Sequence, residues 1–322
     1  MEILKEIYDR CVSIFGNIFF WMGLLGIALT IIANIRIRNR ARKGSVAGNR
    51  SAKRIAIVTG ASKGLGRGYV QAIARQMHDF DIEEFWIIAR NKDALTELAE
   101  ETGACLPIPL DLTDRASFDV IGEMLSSGSY DVRLLLNCAG MGLSGTSAQI
   151  GNKGEQAEID LNDSATVAMV QTCLPYMSAG SRIVNIASIA SFQSLKGFNV
   201  YSASKAFVLS YSRGLRQEVS SQGISVTVVC PYWVRDTGFI EHSTGAKSSP
   251  FLSSTTDRVV KRSLRTIKHR GLVSTPSIVS FLDFILGPLF PDIVLSKVSG
   301  TLNLKRKKQD GSFNNPCKKS NS

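Results

Sequence analysis

The chain has 322 residues, of which 44% are hydrophobic, with 27 glycines and 9 prolines; this composition excludes a mini-protein, a collagen-like chain and a largely disordered one. The formal net charge of +11 would by itself suggest a nucleic-acid partner, but the basic residues are concentrated in two flanks. Residues 36–54 hold eight basic residues and no acid, and residues 305–322 hold six basic residues and one acid. The rest of the chain is near neutral, which favours membrane lipid over nucleic acid as the partner.

The first predicted element is a membrane-spanning helix. No charged residue lies between Arg10 and Arg36, and residues 12–33 are long enough to cross a hydrocarbon core of about 30 Å. A cleaved signal peptide is the alternative, but the apolar run is long for one and acidic residues precede it. Five basic residues follow in residues 36–43, so the positive-inside rule predicts a single-pass membrane protein whose remaining chain faces the cytoplasm. Residues 1–43 are the predicted anchor with its basic flank, and residues 44–53 a linker.

From residue 54 to residue 275, short β-branched runs alternate with amphipathic helical stretches. This alternation predicts an α/β fold with a doubly wound parallel sheet. The six predicted strands are residues 55–59, 85–89, 105–110, 132–137, 181–188 and 224–230, and predicted helices include residues 66–77 and 92–101. Ligands of such sheets bind beyond the carboxyl ends of the strands, so functional residues are expected where the strands stop.

A glycine-rich loop, TGASKGLG, follows the first strand and opens a helix at Gly66. Glycines suit a phosphate site there because a side chain would block the approach of the backbone to a pyrophosphate, while the helix N-terminus supplies N–H groups and a positive dipole. A plain tight turn is the alternative, and the position between a strand and a helix favours the phosphate site.

The second strand is followed by Arg90, where an NAD enzyme usually has an acid that binds the ribose 2′-hydroxyl. Arg90, together with Lys63 in the glycine-rich loop, instead suits a 2′-phosphate through charge-assisted hydrogen bonds. Two solvated surface cations are the alternative interpretation. This pair therefore favours NADP(H) as the cofactor.

Tyr201 and Lys205 give the sharpest chemical signal of the sequence. Residues four apart share one face of a helix, so a phenol and an ammonium would lie side by side. A neighbouring cation favours phenolate and lowers the tyrosine pKa, which allows proton transfer at a carbonyl or alcohol oxygen. A surface tyrosine and lysine on an amphipathic helix is the alternative for an isolated YxxxK pattern.

These motifs, in this order and spacing, resemble the short-chain dehydrogenase/reductase family over about residues 54–237. The resemblance implies a Rossmann-type fold and a nicotinamide cofactor. It implies that Tyr201 is the proton donor or acceptor. It also implies that Lys205 lowers the pKa of Tyr201 and binds the nicotinamide ribose. Ser188 would hold the substrate oxygen, and Asn162 a water that relays protons to Lys205. Asp111 matches the acid that contacts the adenine.

The resemblance also assigns the cofactor site, with no metal. The implied NADP(H)-binding residues are Gly60, Ser62, Lys63, Gly64, Leu65, Gly66, Arg90, Asp111, Leu112, Asn137, Ala139, Gly140, Tyr201, Lys205, Pro231 and Val234. The six scattered cysteines form no CxxC pair and are expected to be reduced, and the three histidines lie far apart in sequence, so a metal centre is not expected.

Three positions depart from the family pattern. Cys138 replaces the second asparagine of the Asn-Asn-Ala-Gly motif, and little loss is expected there because that motif mainly supports the sheet and the ribose pocket. Tyr232 stands where most members have glycine, and Thr237 comes one position late. The last two departures leave open how the loop contacts the nicotinamide carboxamide and the diphosphate.

After residue 237 the motifs stop, and an apolar stretch, residues 278–295, is interrupted by Asp283, Pro288, Pro291 and Asp292. A second membrane crossing is therefore not expected. The segment 276–304 is either interfacial, resting on the bilayer or lining a mouth for lipid substrates, or a buried helix pair that caps the sheet. The basic tail, residues 305–322, is expected to be disordered.

The anchor, the basic tail and the Pro-Tyr-Trp-Val run look like the membrane-bound 17β-hydroxysteroid dehydrogenase and long-chain 3-ketoacyl-CoA reductase branch. The expected function is NADP(H)-dependent interconversion of a ketone and a secondary alcohol on a hydrophobic substrate, steroid-like or long-chain 3-oxoacyl. The alternative is a non-catalytic, membrane-tethered nucleotide-binding scaffold or sensor, and a homodimer stays open.

Overall fold

The computed structural model describes residues 51–239 and 253–286, together with the single residues 21, 25, 26, 28, 32 and 243. The predicted anchor and its basic flank lie outside the described residues apart from those single positions, as do residues 287–304 and the tail 305–322. Within the described residues, each helix is too short or too polar to span a bilayer.

Seven parallel strands form one sheet in the described part of the chain, in the order β3-β2-β1-β4-β5-β6-β7. The strands are β1 (Lys53–Thr59), β2 (Glu84–Ala89), β3 (Cys105–Pro109), β4 (Tyr130–Asn137), β5 (Arg182–Ile186), β6 (Ser225–Val229) and β7 (Val273–Ser274). The order reverses between β1 and β4, which creates the crevice where such sheets bind ligands. The predicted doubly wound, Rossmann-type parallel sheet is confirmed.

Helices cover both faces of the sheet. They are α1 (Gly64–Ala74), α2 (Met77–Phe80), α3 (Lys92–Thr102), α4 (Ala116–Ser126), α5 (Ser147–Ile159), α6 (Ala165–Cys173), α7 (Asn199–Val219), α8 (Thr256–Lys268) and α9 (Ile278–Leu286). A π-helical turn, Asp160–Ser164, joins α5 to α6, and 3₁₀ turns occupy Leu174–Tyr176, Ile189–Ser191 and Ser220–Gln222.

Alternate residues of each strand pack into two separate hydrophobic cores, one on each face of the sheet. Ile55 and Ile57 of β1 pack into the core beneath α4, α6 and α7, whereas Ala56 and Val58 pack into the core beneath α1, α3 and α8. This is the two-residue period of a strand with both faces buried. It explains why the strands read as continuous apolar runs in the sequence.

Most predicted bounds differ from the observed ones by one or two residues, and two differences are larger. The helix predicted over residues 66–77 begins earlier, at Gly64, and ends at Ala74, and a separate short helix, α2, ends where Asp81 adopts a left-handed conformation with φ of 60°. The seventh strand, β7, was not predicted because only two residues form it. Neither difference moves the carboxyl edge of the sheet, where the site lies.

Candidate active site

The glycine-rich loop is packed so closely that only glycine fits at two of its positions. A β-carbon added to Gly60, whose φ is +65°, would lie 2.7 Å from the backbone nitrogen of Ala139, and one added to Gly66 would overlap the Gly60 carbonyl. Lys63, the residue before α1, makes no side-chain cap bond within the described residues. The first-turn N–H groups of α1 are therefore suited to a phosphate. Ser62 and Leu65, also predicted cofactor residues, lie half-buried in this loop.

The end of β4 forms the other wall of this cradle. The hydroxyl oxygen of Thr59 accepts hydrogen bonds from the backbone N–H groups of Cys138 and Ala139, each at 3.1 Å. The Asn137 side chain donates to Asn185 Oδ1 at 2.9 Å and so ties β4 to β5. Gly140 follows, and a β-carbon there would lie 3.3 Å from Lys205 Nζ. The predicted residues Asn137, Ala139 and Gly140 thus lie between the glycine-rich loop and Lys205.

Arg90 and Asp111 lie at the ends of the neighbouring strands β2 and β3. An Arg90 Nη1 and an Asp111 carboxylate oxygen are 3.7 Å apart, and the two side chains are 76% and 42% exposed. Asp111 also accepts a hydrogen bond from the Thr113 N–H at 3.0 Å, and Leu112 between them is buried. The structure brings this predicted pair together on the surface, within the reach of a solvent-facing ligand.

Ser188, Tyr201 and Lys205 meet beyond the ends of β5 and β6. Tyr201 shares a hydrogen bond with Ser188. Lys205 Nζ donates to the carbonyl oxygen of Ile186 at 3.1 Å and lies 5.7 Å from the centre of the Tyr201 ring. The Ser191 hydroxyl donates to the Lys205 carbonyl at 2.8 Å, which holds α7 against the turn that carries Ser188.

Burial controls the ionisation of this pair. Burial raises the pKa of Tyr201 to about 12, and the hydrogen bond from Ser188 partly opposes that increase. Burial also lowers the pKa of Lys205 to about 8. Burial is the larger effect on the tyrosine, and the Lys205 ammonium donates to the Ile186 carbonyl, so the expectation that Lys205 lowers the tyrosine pKa stays a prediction.

Asn162 lies in the π-helical turn and fixes the loop that follows β4. Its Oδ1 accepts from the Met141 N–H at 2.9 Å, and its Nδ2 donates to the Met141 carbonyl at 2.9 Å and to Ser204 Oγ at 3.0 Å. Thr166 donates to the Asn162 carbonyl at 2.7 Å. These hydrogen bonds hold the loop against α7, and the water relay through Asn162 stays a prediction.

The loop after β6 reaches back to the glycine-rich loop despite its departures from the family pattern. The Pro231 carbonyl accepts from the Ile189 N–H at 3.0 Å, and Val234 forms a β-bridge with Ser254. A β-carbon on Gly64 would lie 3.1 Å from Cβ of Thr237. The late threonine therefore still covers the N-terminus of α1, where a diphosphate would bind.

An aromatic wall, formed by Phe198, Trp233 and Phe239, surrounds Tyr201 and was not predicted. The Tyr201 ring centre lies 5.9 Å from that of Phe198 and 5.4 Å from that of Phe239, and Phe198 lies 5.7 Å from Trp233. Phe198 directly precedes α7, whereas Trp233 and Phe239 lie in the segment after β6, so no local pattern joins all three. The wall makes the surroundings of the phenol apolar.

The helix α9 packs beside this wall, on the turn that carries Ser188. Phe284 lies 5.4 Å from Phe192 between ring centres, and Gln193 donates to Asp283 at 3.4 Å. The opposite face of α9 exposes large apolar side chains: Ile278, Phe281, Leu282 and Ile285. Over this stretch the segment is one helix with an exposed apolar face, close to the site.

Among the described residues, no group of three or more His, Cys, Asp or Glu side chains is placed to hold a metal ion. The site instead has the parts that a nicotinamide dinucleotide needs: a backbone cradle that a single β-carbon would fill, a helix N-terminus behind it, and a buried tyrosine and lysine at the far end. These features define a dinucleotide-dependent oxidoreductase.

The particular family follows from comparison with known proteins. Residues 54–247 match the family model described as short chain dehydrogenase, and the chain belongs to this family. The ketoacyl reductase HetN of Nostoc sp. is 29% identical over 222 residues, which are 66% of this chain and 75% of that protein.

Two solved structures show the same fold. A short-chain dehydrogenase from Sphingobium yanoikuyae in complex with NADPH is 28% identical, with a TM-score of 0.64 over 80% of this chain and 98% of that one. A member from Burkholderia phymatum in complex with NAD is 19% identical, with a TM-score of 0.63 over 74% of this chain and 95% of that one. The family thus includes proteins with either cofactor.

Proposed function

We propose that this oxidoreductase uses NADP(H) to interconvert a ketone and a secondary alcohol on a hydrophobic substrate. The observation that carries the proposal is the Tyr201 phenol, hydrogen-bonded to Ser188 and placed between an aromatic wall and the end of the nucleotide cradle. A phenol in this setting is suited to exchange a proton with an oxygen atom in an apolar pocket. A protein that only binds a nucleotide does not need such a group.

The roles of the residues follow from their positions. Ser188 accepts a hydrogen bond from the Ala190 N–H at 3.2 Å, which orients its hydroxyl, and it would hold the substrate oxygen beside Tyr201. In ketone reduction Tyr201 would give its phenolic proton to that oxygen, and in alcohol oxidation it would take the proton back. Lys205 would stabilise the resulting phenolate. The nicotinamide, when bound, supplies or accepts the hydride at carbon.

The preference for NADP(H) is supported by Arg90 and Lys63. Arg90 follows β2, the strand whose end lies beside the ribose in such folds, and its guanidinium is mostly exposed. Lys63 is exposed one strand away, at the start of α1. Two cations at this edge match a 2′-phosphate, and Asp111 supplies an anion that keeps Arg90 in place without the ligand.

A hydrophobic, steroid-like or long-chain 3-oxoacyl substrate is supported by the aromatic wall and by the exposed apolar face of α9 beside it. The similarity to a ketoacyl reductase agrees with a ketone as the reacting group. The predicted anchor, residues 12–33, and cytoplasmic orientation would hold this face near a bilayer. Retention in the membrane pellet after alkaline carbonate extraction is expected; release into the supernatant would contradict the anchor.

The experiment that tests the proposed function is a titration of the detergent-solubilised full chain with NADPH and NADH. It is followed by turnover of the tighter cofactor with steroid ketones and long-chain 3-oxoacyl thioesters. NADPH binding and its oxidation by one ketone class are expected, and Tyr201→Phe should lower turnover by about 10²- to 10⁴-fold while Tyr211→Phe on the same helix preserves it. Cofactor binding without turnover on any ketone would instead favour the scaffold or sensor.

A further inference from the structure

A buried glutamate, Glu158, lies one helical turn before Asn162 and has no assigned task. Its side chain is 0% exposed. One carboxylate oxygen, Oε1, accepts a hydrogen bond from the Leu143 N–H at 2.7 Å. The other, Oε2, is buried and has no hydrogen-bond partner among the described residues. Burying a charged oxygen without a hydrogen-bond partner is unfavourable. A neutral glutamine would accept the Leu143 hydrogen bond equally well, so that bond alone does not explain why this residue is a glutamate.

Glu155, Glu158 and Asn162 are spaced three and four residues apart, so they share one face of the helix that runs from α5 into the π-helical turn. Glu155 is only half-buried, whereas Glu158 and Asn162 are fully covered. Asn162 Oδ1 and Lys205 Nζ both lie within 3.5 Å of the β-carbon position on Gly140. The face therefore runs from the half-buried Glu155, through Glu158, to Asn162, which lies near Lys205.

The charged and titratable groups that face Glu158 are Glu155 on its own helix and Lys205 and Tyr201 on α7. Burial and the negative charge of Glu155 raise the pKa of Glu158 to about 7, while Lys205 opposes the increase. Asp163, in the π-helical turn, also faces Lys205, and burial raises its pKa to about 6. Burial lowers the pKa of Lys205 to about 8, so a proton transfer between the lysine and Glu158 near neutral pH would involve little free-energy difference.

We propose that Glu158 is a proton reserve for the Tyr201–Lys205 pair, acting as a positioning residue through Lys205 and refilled from solvent through Glu155. This inference rests on the proposed function. Each ketone reduction consumes one proton: the O–H bond of Tyr201 breaks, that of the alcohol forms, and the phenolate must regain a proton. Lys205 returns that proton, the carboxyl of Glu158 restores the lysine, and solvent restores Glu158. In alcohol oxidation every transfer is reversed, and one proton leaves to solvent.

The test compares wild type with Glu158→Gln, which preserves an acceptor for the Leu143 N–H and removes the titrating proton. In wild type, kcat for reduction is expected to fall as pH rises through about 7, because the reserve empties. The variant is expected to lose this inflection and to be about 10²-fold slower than wild type at pH 6, the lower end of the usual range for a lost proton-transfer group. Asp160→Asn on the same helical segment is the matched control, and its profile should equal that of wild type.

A second readout does not depend on turnover. Infrared difference spectra of the cofactor-free protein between pH 5.5 and 8.5 should show a protonated-carboxyl band that titrates near pH 7 and is absent in Glu158→Gln; Asp163→Asn identifies the contribution of the neighbouring acid. If Glu158→Gln does not fold, Glu155→Gln carries the test. Removing that negative charge should move the wild-type inflection to lower pH.

The inference is overturned if Glu158→Gln shows the wild-type pH profile and the wild-type infrared band, or if Glu155→Gln leaves the inflection in place. Failure of the proposed function gives a different result, because wild type itself would then oxidise no NADPH with any ketone. In that case the infrared band still reports whether Glu158 holds a proton near neutral pH.

Discussion

Replacing Gly60 by alanine tests why this position of the glycine-rich loop requires glycine. The cause is either close contact with the end of β4 or only the left-handed backbone conformation. A non-glycine residue in the left-handed region costs about 1–2 kcal/mol. The added β-carbon would also lie 2.7 to 2.9 Å from three backbone atoms of Cys138 and Ala139, which cannot rotate away. Overpacking of this kind costs about 1–3 kcal/mol more. The expected loss in free energy of unfolding is therefore about 2–5 kcal/mol, with NADPH binding weakened at least tenfold.

Gly103→Ala is the matched control, since Gly103 has φ of +72° but no heavy atom within 4 Å of its β-carbon position. Only the conformational cost of about 1–2 kcal/mol applies to it, and NADPH affinity should not change. Urea denaturation of the full chain, followed by tryptophan fluorescence, gives the two unfolding free energies, and NADPH fluorescence gives the affinities. Equal destabilisation by the two alanines, with NADPH binding unchanged in both, would refute the close contact between the loop and the end of β4.

Three further predictions concern the site. Tyr201→Phe should lower kcat by about 10²- to 10⁴-fold in stopped-flow assays while NADPH affinity stays within a few fold, and a kcat within a few fold of wild type would reject the phenol as the proton donor. Arg90→Leu should weaken NADPH about tenfold or more and leave NADH unchanged, whereas Arg115→Leu should alter neither; an equal loss for both cofactors would contradict a 2′-phosphate contact. Glu158 has a folded pKa of about 7, above its ordinary 4.5, so the stability from its proton is full below pH 4.5 and lost as pH rises through 7. Glu158→Gln should therefore equal wild type in urea denaturation near pH 4.5 and exceed it by about 1–3 kcal/mol at pH 8, and a gap that is the same at both pH values would contradict the buried carboxyl.

The parallel sheet was predictable because its strands are buried on both faces and read as uninterrupted apolar runs. Residues such as Ile55 to Val58 leave no polar face, which excludes an exposed antiparallel sheet. The glycine-rich loop was predictable because its strand, its loop and the start of its helix are adjacent in sequence. Strand β7 was not predictable, because two residues carry no period and its partner, β6, lies far from it in sequence.

The features of the site that could not be predicted from the sequence depend on contacts between distant segments. Thr237 seemed misplaced by one residue, yet the loop that carries it folds back over Gly64. The aromatic wall joins Phe198, Trp233 and Phe239 from separate segments around one ring. Spacing along the chain reports which residues share a helix face, and it does not report which loops converge on that face.

The burial of Glu158 could not be predicted from the sequence for the same reason. It stands in a polar run, GNKGEQAEIDLN, which is typical of a solvent-facing helix, but α7 and the loop after β4 cover its side chain completely. The same covering explains Tyr201 and Lys205. Their four-residue spacing predicted that a cation lies near the phenol, and it does, but burial acts on both groups and raises the tyrosine pKa instead of lowering it. The ionisation of the pair therefore depends on the burial of both groups and on the charges enclosed with them: Glu158 raises the pKa of both, and Asp163 raises that of Lys205.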